Sequence, residues 1–170
     1  MRAAVFLDRD GTINYDKGYT YLFSKFKFRP YVIKGLQYLT KKKYLIFIVT
    51  NQAGIGKGKF KLKDFLILNK QLINFFKKKK INISGIEYCP YHPNATIKKY
   101  KKKTNFRKPG NLMIKKIFKK WDISIKKSFM LGDKPTDKSA AKKSNLYFEY
   151  VGKNFYKQIK KIEKKIINNY

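Results

Sequence analysis

Two kinds of apolar pattern alternate along the chain. Ala3 to Leu7 and Tyr44 to Val49 are short continuous apolar runs, the pattern of strands buried on both faces of a parallel sheet. Ile86 to Tyr88, Phe129 to Leu131 and Leu146 to Val151 are weaker segments of the same kind. Between them the apolar residues fall at helical spacing. Leu62, Phe65, Leu66, Leu72, Ile73 and Phe76 share one face, as do Met113, Ile114, Ile117, Phe118 and Trp121, and again Phe155, Ile159, Ile162 and Ile166. Val32, Leu36 and Leu39 predict a fourth helix opening just after Pro30. Strands alternating with helices predict an α/β fold, a single Rossmann-like domain over residues 1–170 whose parallel sheet is flanked by helices on both faces. Ligands of such sheets sit at the carboxyl ends of the strands.

Composition adds exclusions. No apolar run approaches the ~20 residues that span a bilayer, so no membrane partner is expected. A lone cysteine, Cys89, forms no internal disulfide, which fits a reducing compartment, and a cytoplasmic location is expected. The net charge of +32 suggests a polyanionic partner at first sight. The kind of base argues otherwise. Of 42 basic residues 38 are Lys and only Arg2, Arg9, Arg29 and Arg107 are Arg, whereas phosphate and base readers favour the planar fork of Arg. Lys, Asn, Ile, Phe and Tyr, all encoded by A/T-rich codons, make up 96 of the 170 residues. Compositional drift toward A+T yields the charge without a nucleic-acid partner, and none is expected.

The informative residues fall at predicted strand ends. The first strand runs into Asp8-Arg9-Asp10-Gly11-Thr12, the second into Thr50-Asn51-Gln52, and a later one into Gly132-Asp133-Lys134-Pro135-Thr136-Asp137. Four of only ten acids thus stand at two strand ends. An isolated Asp-x-Asp-Gly also suits a turn or a calcium loop. A helix-loop-helix calcium loop needs an acid at its twelfth position, which here is Tyr19.

With Arg107-Lys108-Pro109, these segments resemble, in order and spacing, the four motifs of haloacid-dehalogenase-superfamily phosphatases, over Ala3 to about Val151. Within the superfamily the chain is most similar to the heptose bisphosphate branch and next to the histidinol-phosphate branch. The segments that carry that likeness are Ile13 to Tyr19 and Asn51 to Phe60. The resemblance implies a capless phosphatase for a small-molecule sugar phosphate, in which loops rather than a lid select the substrate. It implies Asp8 as nucleophile and Asp10 as general acid and base. It implies Mg²⁺ on Asp8, the backbone carbonyl of Asp10, and Asp133. Phosphate and substrate binding fall to Thr50, Asn51, Gln52, Arg107, Lys108, Lys134 and the loop Asp16, Lys17, Gly18 and Tyr19. A monomer is expected.

These residue types suit the chemistry. Hydrolysis of a phosphate monoester is among the slowest uncatalysed reactions, and a covalent carboxylate intermediate divides it into two steps. Carboxylates facing a phosphate dianion repel it unless a cation offsets them. One part of the resemblance fails. The structural zinc of the heptose branch uses Cys-x-His and Cys-x-Cys, and the matching positions read Cys89, Tyr91, Thr104 and Phe106. Cys89 and the sole histidine, His92, do not make a closed four-ligand site, so zinc is expected to be absent. The other function classes are a histidinol-phosphatase, a polynucleotide 3′-phosphatase, and a basic binding module without activity. Asp8, Asp10, Lys108 and Asp133 together argue against the last.

Overall fold

The computed structural model describes residues 1–168 of the chain. Five parallel strands, β1 (Ala4–Leu7), β2 (Leu45–Asn51), β3 (Gly85–Cys89), β4 (Phe129–Gly132) and β5 (Tyr147–Tyr150), form one sheet in the order β3-β2-β1-β4-β5. Six helices connect or follow them: α1 (Val32–Lys41), α2 (Ala53–Gly56), α3 (Leu62–Lys78), α4 (Leu112–Lys120), α5 (Pro135–Lys142) and α6 (Phe155–Asn168).

Alternation along the central strands sends side chains to two cores. Val5 and Leu7 of β1, with Ile46 and Ile48 of β2, pack under Leu36 and Leu39 of α1, Leu72 and Phe76 of α3, and Ile159 and Ile162 of α6. Ala4, Phe6, Leu45 and Phe47 point the other way, against Ile114 and Ile117 of α4 and Ala140 and Ala141 of α5. β1 therefore has no polar face, and its first polar residues appear only where the strand ends, at Asp8. Strand order reverses beside β1, since the chain leaves it for β2 and β3 on one side and returns to β4 and β5 on the other. The carboxyl ends of β1, β2 and β4 thus surround one crevice.

All five predicted strands and four predicted helices form, with three corrections to which residues they use. Leu66 and Ile73 are exposed, because the buried stripe of α3 runs through Phe65, Leu68, Leu72 and Phe76. Trp121 lies just beyond α4 in extended backbone, partly exposed, with its ring edge-on to Phe47. α5 has no apolar stripe longer than Ala140-Ala141 and no periodic signal. It starts on Pro135 at its first position, and the Asp137 carboxylate accepts the Lys134 N–H at 3.0 Å, satisfying one of the donors a helix start leaves open. No helix among the described residues is long and apolar enough to cross a membrane.

Candidate active site

Asp8 is the first residue past β1 and is held there by its own N–H, which donates to the Leu131 carbonyl at the end of β4 (3.0 Å). The chain then turns at Gly11, whose φ of +90° suits glycine. A Cβ on Gly11 would lie 2.2 Å from Asp133 Oδ2, so glycine here leaves the room that the Asp133 carboxylate occupies. Arg29 fastens the turn from outside, donating to the Gly11 carbonyl (2.7 Å) and to the Gly152 carbonyl (3.2 Å).

Asp8, Asp133 and Asp137 bring three carboxylate oxygens within 4.8 Å of one another. Lys108 is the cation set against them. Its Nζ, buried with Asp8 and Asp137, donates to Asp8 Oδ1 (2.7 Å) and to the Val49 carbonyl (2.8 Å) and ion-pairs with Asp137 Oδ1 (2.6 Å). Burial pulls the Lys108 pKa down, but Asp8 and Asp137 outweigh it and hold the ammonium above its ordinary value. Burial, joined by Asp137 and against Lys108, pushes Asp8 up to about 7. Burial also raises Asp133, with Asp137 adding to it and Lys134 opposing.

Three carboxylates against one ammonium leave two formal negative charges on the floor of the crevice. The donors there are all oxygen, and Asp133 Oδ1 is buried with no hydrogen-bond partner. A hard divalent cation with oxygen preference fits this set. Asp137 is already committed to Lys108 and to the start of α5, which leaves Asp8 and Asp133 with the spare lone pairs. The Asp10 carboxylate is outside the three-carboxylate group.

Above this floor lies a cavity of about 480 Å³. Asp8, Asp10, Asp16, Gly18 and Tyr19 line it from the first motif and its loop, and Thr50, Asn51 and Gln52 from the end of β2. Arg107, Lys108, Lys134 and Asp137 also line it. Lys17 does not reach it. The Asp16 carboxylate accepts the Gly18 N–H (3.0 Å), and the tight turn so formed, with Gly18 at φ +75°, leaves Lys17 in solvent. Lys134 spans the mouth, its Nζ 3.1 Å from Asp16 Oδ2. Arg107 is half-buried with Nη1 unpartnered.

Asn51, at the cavity wall, also makes contacts that its sequence position did not suggest. Its Nδ2 donates to the Lys108 carbonyl (3.0 Å) and its Oδ1 accepts the Lys108 N–H (3.0 Å), so both ends of its amide grip the backbone of the lysine. Gln52 donates to Thr50 Oγ1 (2.8 Å) and to Asp10 Oδ2 (2.9 Å). The loop that the zinc positions occupy is ordered by packing. Cys89 is buried, Tyr91 and Phe106 pack against the second core, and Thr104 Oγ1 accepts the Phe106 N–H (3.1 Å). His92 Nδ1 accepts the Asn94 N–H (3.0 Å). Sequence reasoning missed Arg9, Asn14 and Arg29, and gave no role to Asp137. The scarcity of arginine was the available signal for two of them.

A family model described as polynucleotide kinase 3 phosphatase matches residues 5–166. The D-glycero-beta-D-manno-heptose-1,7-bisphosphate 7-phosphatase of Photorhabdus laumondii is 42% identical over 138 residues, 81% of this chain and 73% of that protein. The protein of the same name from Rhodopseudomonas palustris is 32% identical over 162 residues, 93% of this chain and 90% of that protein. Among solved structures, D,D-heptose 1,7-bisphosphate phosphatase from B. bronchiseptica, complexed with magnesium and phosphate, superimposes with a TM-score of 0.82. That match covers 97% of this chain and 99% of the other at 18% identity, and shows the shared fold.

Proposed function

The chain belongs to the phosphatases of the haloacid dehalogenase superfamily and is a phosphoric monoester hydrolase, and from that premise we propose that it removes the C7 phosphate of D-glycero-D-manno-heptose 1,7-bisphosphate on the way to ADP-heptose and lipopolysaccharide core. The observation that carries the reading is the floor of the cavity: Asp8 at the end of β1, charge-balanced by Lys108 and facing an Asp133 with unused oxygen.

Asp8 attacks phosphorus in line with the leaving sugar oxygen. As the new bond to Asp8 forms, the phosphorus–oxygen bond to C7 breaks, and a proton passes from the Asp10 carboxyl to the departing oxygen. The Asp10 carboxylate so produced then takes a proton from water as that water attacks the aspartyl-phosphate, freeing Asp8 and inorganic phosphate. Thr50, at the end of β2, donates its hydroxyl to the phosphoryl oxygens. Lys108 keeps its charge beside Asp8 throughout, and Asn51 acts on the reaction through the backbone of Lys108. Arg107 and Lys134, at the rim, meet the rest of the anionic substrate. Mg²⁺, held by Asp8, Asp133 and the backbone carbonyl of Asp10, would supply charge neutralisation for the approaching phosphate dianion. Structural zinc has no part in this reading, because the four corresponding positions offer a single thiol.

The matched family model and the net charge of +32 favour one second reading, a polynucleotide 3′-phosphatase. Phosphate release with Mg²⁺ over heptose 1,7-bisphosphate, histidinol phosphate and 3′-phosphorylated DNA separates them. The proposal expects the highest kcat/KM on the heptose substrate, with a shallow salt dependence. A higher value on DNA that falls steeply with salt, as many phosphate contacts require, would replace it.

A further inference from the structure

We propose that Arg9 is a positioning residue for Asp10, and that turnover requires Asp10 to give up one of the four hydrogen bonds that Arg9, Asn14 and Gln52 make to its carboxylate. The inference rests on the acid and base role of Asp10 stated above. Arg9 stands between the two motif aspartates and is 1% exposed, with its guanidinium 5.6 Å from the centre of the Phe65 ring. It does not line the cavity, so it acts on the reaction only through what it holds.

What it holds is a filled carboxylate. Oδ1 of Asp10 accepts Arg9 Nε (3.2 Å) and Asn14 Nδ2 (3.0 Å), while Oδ2 accepts Arg9 Nη2 (2.7 Å) and Gln52 Nε2 (2.9 Å). A carboxylate has about four lone-pair sites, and here each has a donor. No site is left for a leaving oxygen or an attacking water. The two bonds from Arg9 use the fixed fork of the guanidinium, which an ammonium cannot reproduce. In a chain where 38 of 42 basic residues are Lys, that geometry gives a reason for Arg at this position.

The partner that yields is Gln52. Arg9 is also tied to the Thr20 carbonyl (2.8 Å), and Asn14, fully buried, to the Tyr15 carbonyl (3.0 Å), whereas the tie on Gln52 Oε1 is a longer bond from Arg9 Nη2 (3.3 Å) that leaves its Nε2 free to move. Gln52 alone of the three lines the cavity, and its Nε2 has a second acceptor in Thr50 Oγ1 at 2.8 Å. Accepting from Gln52 directs the Thr50 hydroxyl hydrogen elsewhere, toward an incoming phosphate. One amide thereby links phosphate arrival at Thr50 to the release of Asp10, while Arg9 and Asn14 keep the carboxylate from rotating away.

The test compares kcat/KM for heptose bisphosphate, whose alkoxide must be protonated to leave, with kcat/KM for p-nitrophenyl phosphate, whose phenolate leaves without a proton. The ratio of the two reads proton donation and is insensitive to a general loss of structure. Arg9→Lys is expected to lower that ratio roughly tenfold or more, within the ~10²–10⁴ that general acid catalysis contributes. Gln52→Ala, which removes the yielding partner, is expected to lower both rates through Thr50 and leave their ratio near the parental value. Equal loss on both substrates in Arg9→Lys, or a ratio that collapses in Gln52→Ala, overturns the proposal. If Arg9→Lys does not fold, Asn14→Ala removes the other fixed donor and must lower the same ratio. Asp10→Asn separates the two levels of the reading: an unchanged ratio there refutes the acid role of Asp10 itself, whatever Arg9 does.

Discussion

Lys108→Met takes the ammonium out of the carboxylate cluster while keeping an unbranched stem of similar length. The lost interactions are the bonds to Asp8 Oδ1 (2.7 Å) and the Val49 carbonyl (2.8 Å) and the ion pair with Asp137 (2.6 Å). Asp8 and Asp137 are 5% and 1% exposed, so water does not take over from the lysine. Removing one partner of a buried ion pair costs about 3–5 kcal/mol, because the remaining charge is left uncompensated. With a melting entropy of about 2.1 cal/mol/K per residue, 170 residues lose roughly 10 °C in Tm for such a change. The assay is thermal unfolding of metal-free protein from pH 8 to pH 5. Burial already raises Asp8 to about 7 in the parent, and losing Lys108 raises it further. The folded state then holds protons that the unfolded state has released, so the deficit is largest at pH 8 and shrinks as pH falls and the carboxyls become neutral. Adding Asp137→Asn should recover a substantial part of the loss at pH 8. A Tm within about 2 °C of the parent at pH 8, or a deficit that grows on acidification, refutes the assignment of Lys108 as counter-charge.

Three other outcomes follow from the same geometry. Asp8→Asn removes nucleophile and anion together while adding no bulk, so turnover should vanish with the fold intact; mass spectrometry of parental protein quenched during turnover should place phosphate on Asp8, and phosphate on another residue would contradict the role. Metal-free parent should lose stability as pH rises from about 6 to 8, because the raised pKa values of Asp8 and Asp133 mean that folding opposes their ionisation, and millimolar Mg²⁺ should abolish that slope whereas a zinc-selective chelator should leave activity unchanged. Replacing Lys77 to Lys80 with Gln should leave kcat/KM on a sugar bisphosphate nearly unchanged at physiological salt: the run is exposed at the far end of α3, roughly 25 Å of helix from Leu62, against a Debye length of about 8 Å, and a loss comparable with that in Lys108→Met would mean the surface charge serves the reaction.

How far the sequence could be read depended on whether each signal was local. β1 and β2 are buried on both faces, so their runs are apolar without interruption and their ends are marked by the first polar residues. α5 had no such mark, because its inward face is two alanines and its start depends on Asp137, a residue equally at home in a turn. Asp137 could be seen as one of a group of acids, but its pairing with Lys108 joins the first turn of α5 to the loop before α4 and has no sequence period. Asn51 is the same problem in reverse. Thr-Asn-Gln at a strand end suggests three polar side chains facing a ligand, and the clamp on Lys108, 57 positions away, becomes visible only when the loop carrying Arg107-Lys108-Pro109 is folded against β2. Lys17 stands in solvent, outside the cavity lining, for a local reason, since a turn closed by Asp16 and Gly18 points its middle residue outward.

The distribution of acids bears on why so basic a chain can hold a site of this kind. Of its ten acids, Asp8, Asp10, Asp16, Asp133 and Asp137 stand in or beside the cavity, and three basic residues answer four of them at short range: Lys108 answers Asp8 and Asp137, Arg9 answers Asp10, and Lys134 answers Asp16. Asp133 has no such ion pair among the described residues, and its Oδ1 is buried without a hydrogen-bond partner. Surface lysines do not substitute for these pairings, because their field is screened within about a Debye length while the buried pairs are screened far less. Drift toward lysine can therefore change the outer charge widely without changing the chemistry, provided that it spares the pairs. It also has to spare the positions where lysine is the wrong shape. Arg9 and Arg29 each need two directed N–H groups, one for a carboxylate and one for a pair of carbonyls, and a single ammonium satisfies neither geometry.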